Sequence, residues 1–171
     1  MKFANITLGK NVEIDTTTTV NNVTIGNNVK IAKRCSIFGG PDNPLIIGED
    51  TYVGMNAIIN GYAAQVTIGT NVSIAQNVNI MADSGPNASL SLQKIFPIQK
   101  ASIAIGNHCW IGASVIIMPA VQLGNYCIVA ANSYVNASFP SYSIIGGTPA
   151  TLIRSLTPAE INLLTTDDKI S

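Results

Sequence analysis

Aliphatic residues recur along this chain with a period of six, which fits neither the 3.6 of a helix nor the two of a long flat strand. An aliphatic residue, nearly always followed by Gly, Ala, Asp or Asn, stands at Leu8, Ile14, Ile25, Ile31, Ile47, Val53, Ile68 and Ile74. The series resumes at Ile105, Ile111, Ile117, Leu123, Val129 and Val135. Four positions after the aliphatic residue comes a small or β-branched one: Val29, Cys35, Thr51, Ala57, Val72, Val78, Cys109, Val115, Val121, Cys127 and Ser133. Both positions are expected to point inward. Short strands joined by tight corners satisfy such a period, which predicts an all-β chain of the hexapeptide β-helix class.

Composition sharpens this picture. Ile and Val contribute 25 and 12 of 171 residues and Asn another 18, and Asn, Gly and Asp are the residues that tolerate the positive φ of tight corners. With 47% hydrophobic residues the chain is not disordered, and its length suits one domain of ordinary size. Nine basic residues cancel nine acidic ones and the pI is about 6.5, so no basic face for nucleic acid or an anionic membrane is expected. Polar residues interrupt every apolar run before transmembrane length, and Met1 to Asn5 does not open like a secretory signal. A cytoplasmic protein without a membrane span is therefore expected. The three cysteines lack CxxC spacing and fall at the small inward position, which reads as core packing, with no metal site. The five Asn-x-Ser/Thr sequons are by-products of an Asn-rich repeat, and Thr16 to Thr19 is one polar run rather than an array.

The repeat breaks twice, between Phe38 and Ile46 and between Asp83 and Ser102. Both breaks predict loops extruded from the coil, and the second is long enough to read as functional. After Phe139-Pro140 the period is lost. Thr157-Pro158-Ala159-Glu160 then reads as the capped start of a short helix, with a tail from Thr165. The expected organisation is a β-helix domain over residues 1–155 and a C-terminal helix and tail over 156–171.

The stretch Ile-Gly-Asn-His-Cys-Trp-Ile-Gly-Ala-Ser-Val-Ile-Ile-Met-Pro at 105–119 and the segment from Ile145 to Arg154 resemble the hexapeptide-repeat acyltransferases, among them the galactoside, maltose and lipopolysaccharide-sugar acetyltransferases. The resemblance implies a left-handed parallel β-helix with three hexads per coil, so that about 17 hexads between Leu8 and Phe139 give between five and six coils. It also implies a homotrimer with acetyl-CoA in the groove between two subunits. Carried over residue by residue, that groove involves Trp110, Gly112, Ala113, Ala131, Ser133, Pro149 and Arg154, with Arg154 gripping a phosphate. Thr151 and Ala137 stand where the family often has Lys or Arg, which leaves Lys94 or Lys100 of the long loop as helpers.

The loop carries the larger departure. Ala75 to Pro86 resembles the segment that bears a catalytic His just before Pro, and here Gly85 occupies that place. The single histidine, His108, falls at a corner where the family commonly has Asn. It reads as a corner residue, or as a base reaching a neighbouring subunit's groove. A sugar hydroxyl needs a positioned base, whereas an amine has a neutral fraction that attacks a thioester unaided. The missing His therefore points to N-acetylation of an amino sugar, nucleotide-linked, in surface polysaccharide assembly. In that reading Asp83 takes the proton, Ser84 and backbone near Gly85 bind the sugar or the oxyanion, and Asn60 and Tyr62 line the acceptor pocket. The alternatives are O-acetylation of a sugar and a catalytically silent trimeric scaffold.

Overall fold

The computed structural model describes residues 5–166. Its strands stack into three parallel sheets that form the faces of a triangular coil. Face 1 holds Ile6–Leu8, Val23–Ile25, Leu45–Ile47, Val66–Ile68, Ile103–Ile105 and Gln122–Leu123. Face 2 holds Glu13–Ile14, Lys30–Ile31, Tyr52–Val53, Ser73–Ile74, Trp110–Ile111 and Ile128–Val129, followed by Ser143–Gly147 and Ala150–Ser155. Face 3 holds Thr19–Asn21, Ser36–Gly39, Ile58–Gly61, Asn79–Met81, Ile116–Ile117 and Tyr134–Val135. The expected β-helix of hexapeptide repeats is the fold of this chain.

Register explains the sequence period. On face 3, Val20, Ile37, Ile59, Ile80, Ile117 and Val135 stand one above the next and are buried. The first four lie outside the hexad list because the six-residue period fails after each: Ile25 follows Val20 by only five residues, and Ile37, Ile59 and Ile80 are each followed by an insertion. All eleven residues assigned to the small inward position are buried, the three cysteines included. The Cys127 thiol beside Cys109, together with burial, pushes the Cys109 thiol above its ordinary pKa, and burial raises that of Cys35. Leu8 is the exception to the inward rule: it pairs with Ile25 but is 51% exposed, because no coil precedes its own.

At the corner between faces 1 and 2, Asn11, Asn28, Asp50, Asn71, His108, Tyr126 and Tyr142 all have positive φ, between 54° and 69°. The short polar members bond along the coil axis, Asn11 Nδ2 to Asn28 Oδ1 at 3.1 Å and Asn28 Nδ2 to Asp50 Oδ1 at 3.0 Å. The aromatic members stack instead, with ring centroids 4.6 Å apart for His108 and Tyr126 and 5.4 Å apart for Tyr126 and Tyr142. Corners repeating every coil thus account for the Asn-rich composition.

Every insertion leaves the coil at the corner between faces 3 and 1. The Gly39 to Pro44 turn closes on itself through paired backbone bonds between Gly40 and Asn43, and Gln65 holds it by donating to the Pro44 carbonyl at 2.6 Å. The long insertion begins as a ribbon, with Asp83 opposite Lys100 and Ser84 opposite Gln99. Its tip carries a one-turn helix, α1 (Leu90–Gln93), capped by Ser89. Beyond the last coil, Ser143–Gly147 joins face 2 and turns at Gly147 into the antiparallel strand Ala150–Ser155, a hairpin the hexad period does not reveal. Helix α2 (Pro158–Thr166) follows and includes two residues expected as tail; the rest of that tail lies outside the described residues. No helix of the described residues is long and apolar enough to cross a membrane.

Candidate active site

Four of the residues assigned to the carrier groove converge. Trp110, Gly112, Ala113 and Ala131 line an apolar cleft of about 520 Å³ at the corner between faces 2 and 3, with Ala75, Ile128, Val129 and Ala130. Trp110 lies on a face 2 strand between Ser73 and Ile128 and is 57% exposed. Gly112 keeps the floor of the cleft close: a Cβ there would lie 2.6 Å from the Ala131 nitrogen of the next coil. Among the described residues, no protein group accepts from the N–H of Ala113 or Ala131. At the corner between faces 1 and 2, the equivalent N–H of Thr70, Asn107 and Asn125 meets Asn107, Asn125 and Ser141 side chains of the next coil. An apolar wall beside open backbone donors, one per coil and spaced about 4.8 Å, matches the alternating alkyl and amide groups of a pantetheine arm.

The other three carrier residues are placed differently. Ser133 is buried, and its hydroxyl donates to the Ala130 carbonyl at 2.7 Å while accepting from the Gly147 N–H at 3.1 Å. It braces the hairpin against the last coil rather than facing the groove. Pro149 sits exposed in the hairpin turn after a cis peptide bond. Arg154 stands opposite Ile144, which continues the face 2 column through Ile128 to Trp110, so it lies roughly 14 Å from Trp110 at three strand spacings. Its guanidinium is closed on Glu160, at 2.8 and 2.9 Å. Lys94 and Lys100 are exposed in the long insertion.

The acceptor residues divide into two groups, because successive side chains of a strand point to opposite sides. Asp83 turns toward Asn60, whose Nδ2 donates to its Oδ1 at 2.8 Å. The Asn60 Oδ1 accepts the Tyr62 N–H at 3.0 Å, which fixes the amide's orientation. Tyr62 itself is 63% exposed. Ser84 and Gly85 instead line a second cleft, of about 470 Å³, with Pro86, Phe96, Met118 and Tyr134 among its walls. Met118 and Tyr134 are lining residues that the sequence does not single out. Gly85 lies against Ile98: a Cβ would stand 2.8 Å from the Ile98 Cα, so this loop conformation has no room for a side chain where the related segment carries His.

His108 is exposed, at φ 57°, and belongs to the stack on Tyr126 at the corner between faces 1 and 2. Asp83 leaves the coil at a different corner, so one chain does not bring the two together. Among the described residues no group of three His, Cys, Asp or Glu side chains is placed to hold a metal ion.

Comparison with known proteins agrees with the fold. A family model described as bacterial transferase hexapeptide (six repeats) matches residues 102–137, and one described as hexapeptide repeat of succinyl-transferase matches residues 44–82. The chain belongs to the hexapeptide-repeat transferase family. It is 33% identical over 125 residues to the galactoside O-acetyltransferase of Escherichia coli K12, an alignment covering 72% of this chain and 60% of that protein. The chain therefore spans about three fifths of that curated relative. A solved galactoside acetyltransferase in complex with coenzyme A matches with a TM-score of 0.66 and 26% identity, over 92% of this chain and 68% of that one. AntD, an N-acyltransferase from Bacillus cereus solved with dTDP and 3-hydroxybutyryl-CoA, matches in fold with a TM-score of 0.80 at 24% identity, over 96% and 90% of the two chains.

Proposed function

We propose that this chain transfers an acetyl group from acetyl-CoA to a sugar, and that the accepting atom is the amine of a nucleotide-linked amino sugar. The cleft beside Trp110, with its open N–H groups, supports the carrier half of this reading. The amine rests on one observation: Gly85, packed against Ile98, excludes the histidine base that a hydroxyl acceptor would use. In the reaction the neutral amine attacks the thioester carbonyl carbon, the C–S bond breaks, and the nitrogen's proton passes to the Asp83 carboxylate or to water. The departing thiolate of CoA takes up a proton from the same pool. Asn60 holds Asp83 in place for that transfer, while Ser84, on the other side of the strand, binds a part of the nucleotide-linked acceptor remote from the amine.

The carrier cleft and the Asp83 corner lie on different edges of the coil, which supports assembly as a homotrimer whose sites each draw on two copies. The exposed Leu90, Ile95 and Phe96 of the insertion supply apolar surface for such an assembly. Cytoplasmic polysaccharide synthesis, where nucleotide-linked sugars are made, is the setting that suits this chemistry.

O-acetylation is the second reading, favoured by the name of the galactoside O-acetyltransferase relative. A silent scaffold is the third. Thermal stabilisation by CoA separates a transferase from a scaffold, since a ligand at 100 times its Kd adds about 2.7 kcal/mol. Acetyl transfer to acceptors matched except for amine or hydroxyl then decides between the first two.

A further inference from the structure

Arg154 is the first cation assigned to the carrier's phosphate, with Lys94 or Lys100 as helpers, yet its fork is filled. Its two terminal nitrogens donate to the two carboxylate oxygens of Glu160 at 2.8 and 2.9 Å. The Oε2 of Glu160 also accepts from the Thr157 N–H at 2.7 Å and the Thr157 hydroxyl at 3.0 Å. Four donors thus converge on one carboxylate: a planar guanidinium fork, a backbone N–H at the start of α2 and a hydroxyl. Phosphate oxygens satisfy the same set of donors.

We propose that Glu160 is an internal competitor for the 3′-phosphate of the acyl carrier, occupying the Arg154 and Thr157 donors in the free chain and leaving them when the phosphate arrives. This inference rests on the acyl-CoA reading above. The exchange is local, because the side chains of Arg154 and Glu160 are 50% and 39% exposed and belong to the hairpin and α2, outside the buried coil. Glu160 then sets carrier affinity without touching the carrier. The competent fraction of the chain is the fraction in which the pair is open, and apparent affinity falls in proportion to it. A carrier lacking the competing phosphate does not feel this term.

The test compares binding of CoA and dephospho-CoA, which lacks the 3′-phosphate, to the wild type and to Glu160→Gln. The amide introduced by Glu160→Gln keeps an oxygen for the Thr157 N–H, so the helix start is preserved while the charge is lost. Expected is CoA binding tightened roughly twofold to fivefold by Glu160→Gln, as for release of an exposed charge pair, with dephospho-CoA unchanged. Thr157→Ala removes one hydroxyl donor from carboxylate and phosphate alike while leaving the charge pair, and is expected not to tighten CoA. Equal tightening of both ligands, no tightening of CoA, or the same shift from Thr157→Ala would each overturn the competitor role while leaving the transferase reading intact. If neither protein binds CoA, the carrier reading itself falls, and this inference with it.

Discussion

The Asn60 side-chain amide donates to the Asp83 carboxylate at 2.8 Å, across 23 residues of sequence. Its own oxygen is taken by the Tyr62 N–H, so the amide cannot flip without losing both bonds. Asp83 therefore presents its carboxylate in one orientation at the root of the long insertion.

Asp83→Asn is expected to lower kcat by at least about tenfold with little change in Tm, because it removes the proton acceptor and keeps the shape. Asn60→Ala should lower kcat in the same direction but less, since the carboxylate remains and loses only its orientation. Steady-state kinetics on both variants check this pair. Equal activity of Asp83→Asn and wild type would remove Asp83 from the chemistry.

Gly85→His is expected to reduce activity rather than restore a base. The new Cβ would begin 2.8 Å from the Ile98 backbone, and an insertion of that kind costs about 1 to 3 kcal/mol in strain and displaces the loop. A rise in transfer to a hydroxyl acceptor in this variant would show that the loop accommodates the ring.

Sites shared between copies can be rebuilt from two defective chains. Refolding Asp83→Asn together with Trp110→Ala in equal amounts should return about a quarter of wild-type activity, because one subunit boundary in about four then pairs an intact Asp83 with an intact Trp110. No recovery would place both residues in a site made by one chain.

Much of the coil is readable from the sequence because its inward positions obey a strict register: Ile25, Ile47, Ile68 and Ile105 repeat where the strands do. Val20, Ile37, Ile59 and Ile80 are harder to read because the six-residue spacing fails after each of them, through a shortened corner after Val20 and insertions after the other three. The carrier cleft is legible through Trp110, Gly112, Ala113 and Ala131, which lie in unbroken hexads. Arg154 closing on Glu160 is not, since the capping box accounts for Glu160 without naming a second partner. Nor does the sequence reveal that Asp83 and Ser84, neighbours in the chain, serve opposite sides of one strand.

The Arg154 guanidinium, with the Thr157 N–H, lowers the pKa of Glu160 to about 2. A carboxylate depressed in the folded state contributes stability that is present above its unfolded value of about 4.3 and is lost as pH falls toward the folded value. Amide exchange across α2 should accordingly quicken between about pH 4 and pH 2 while the coil interior stays protected. In Glu160→Gln that acid-dependent step should vanish. Its persistence would assign the acid response to another group.

The most direct test of the proposed function is release of free CoA thiol from acetyl-CoA with nucleotide sugars that differ only in carrying an amine or a hydroxyl at one carbon. The account predicts turnover with the amine and none above background with the hydroxyl. Turnover with the hydroxyl at a comparable rate would contradict it, because a base able to activate a hydroxyl would then be at work, with Asp83 and His108 the residues to substitute next.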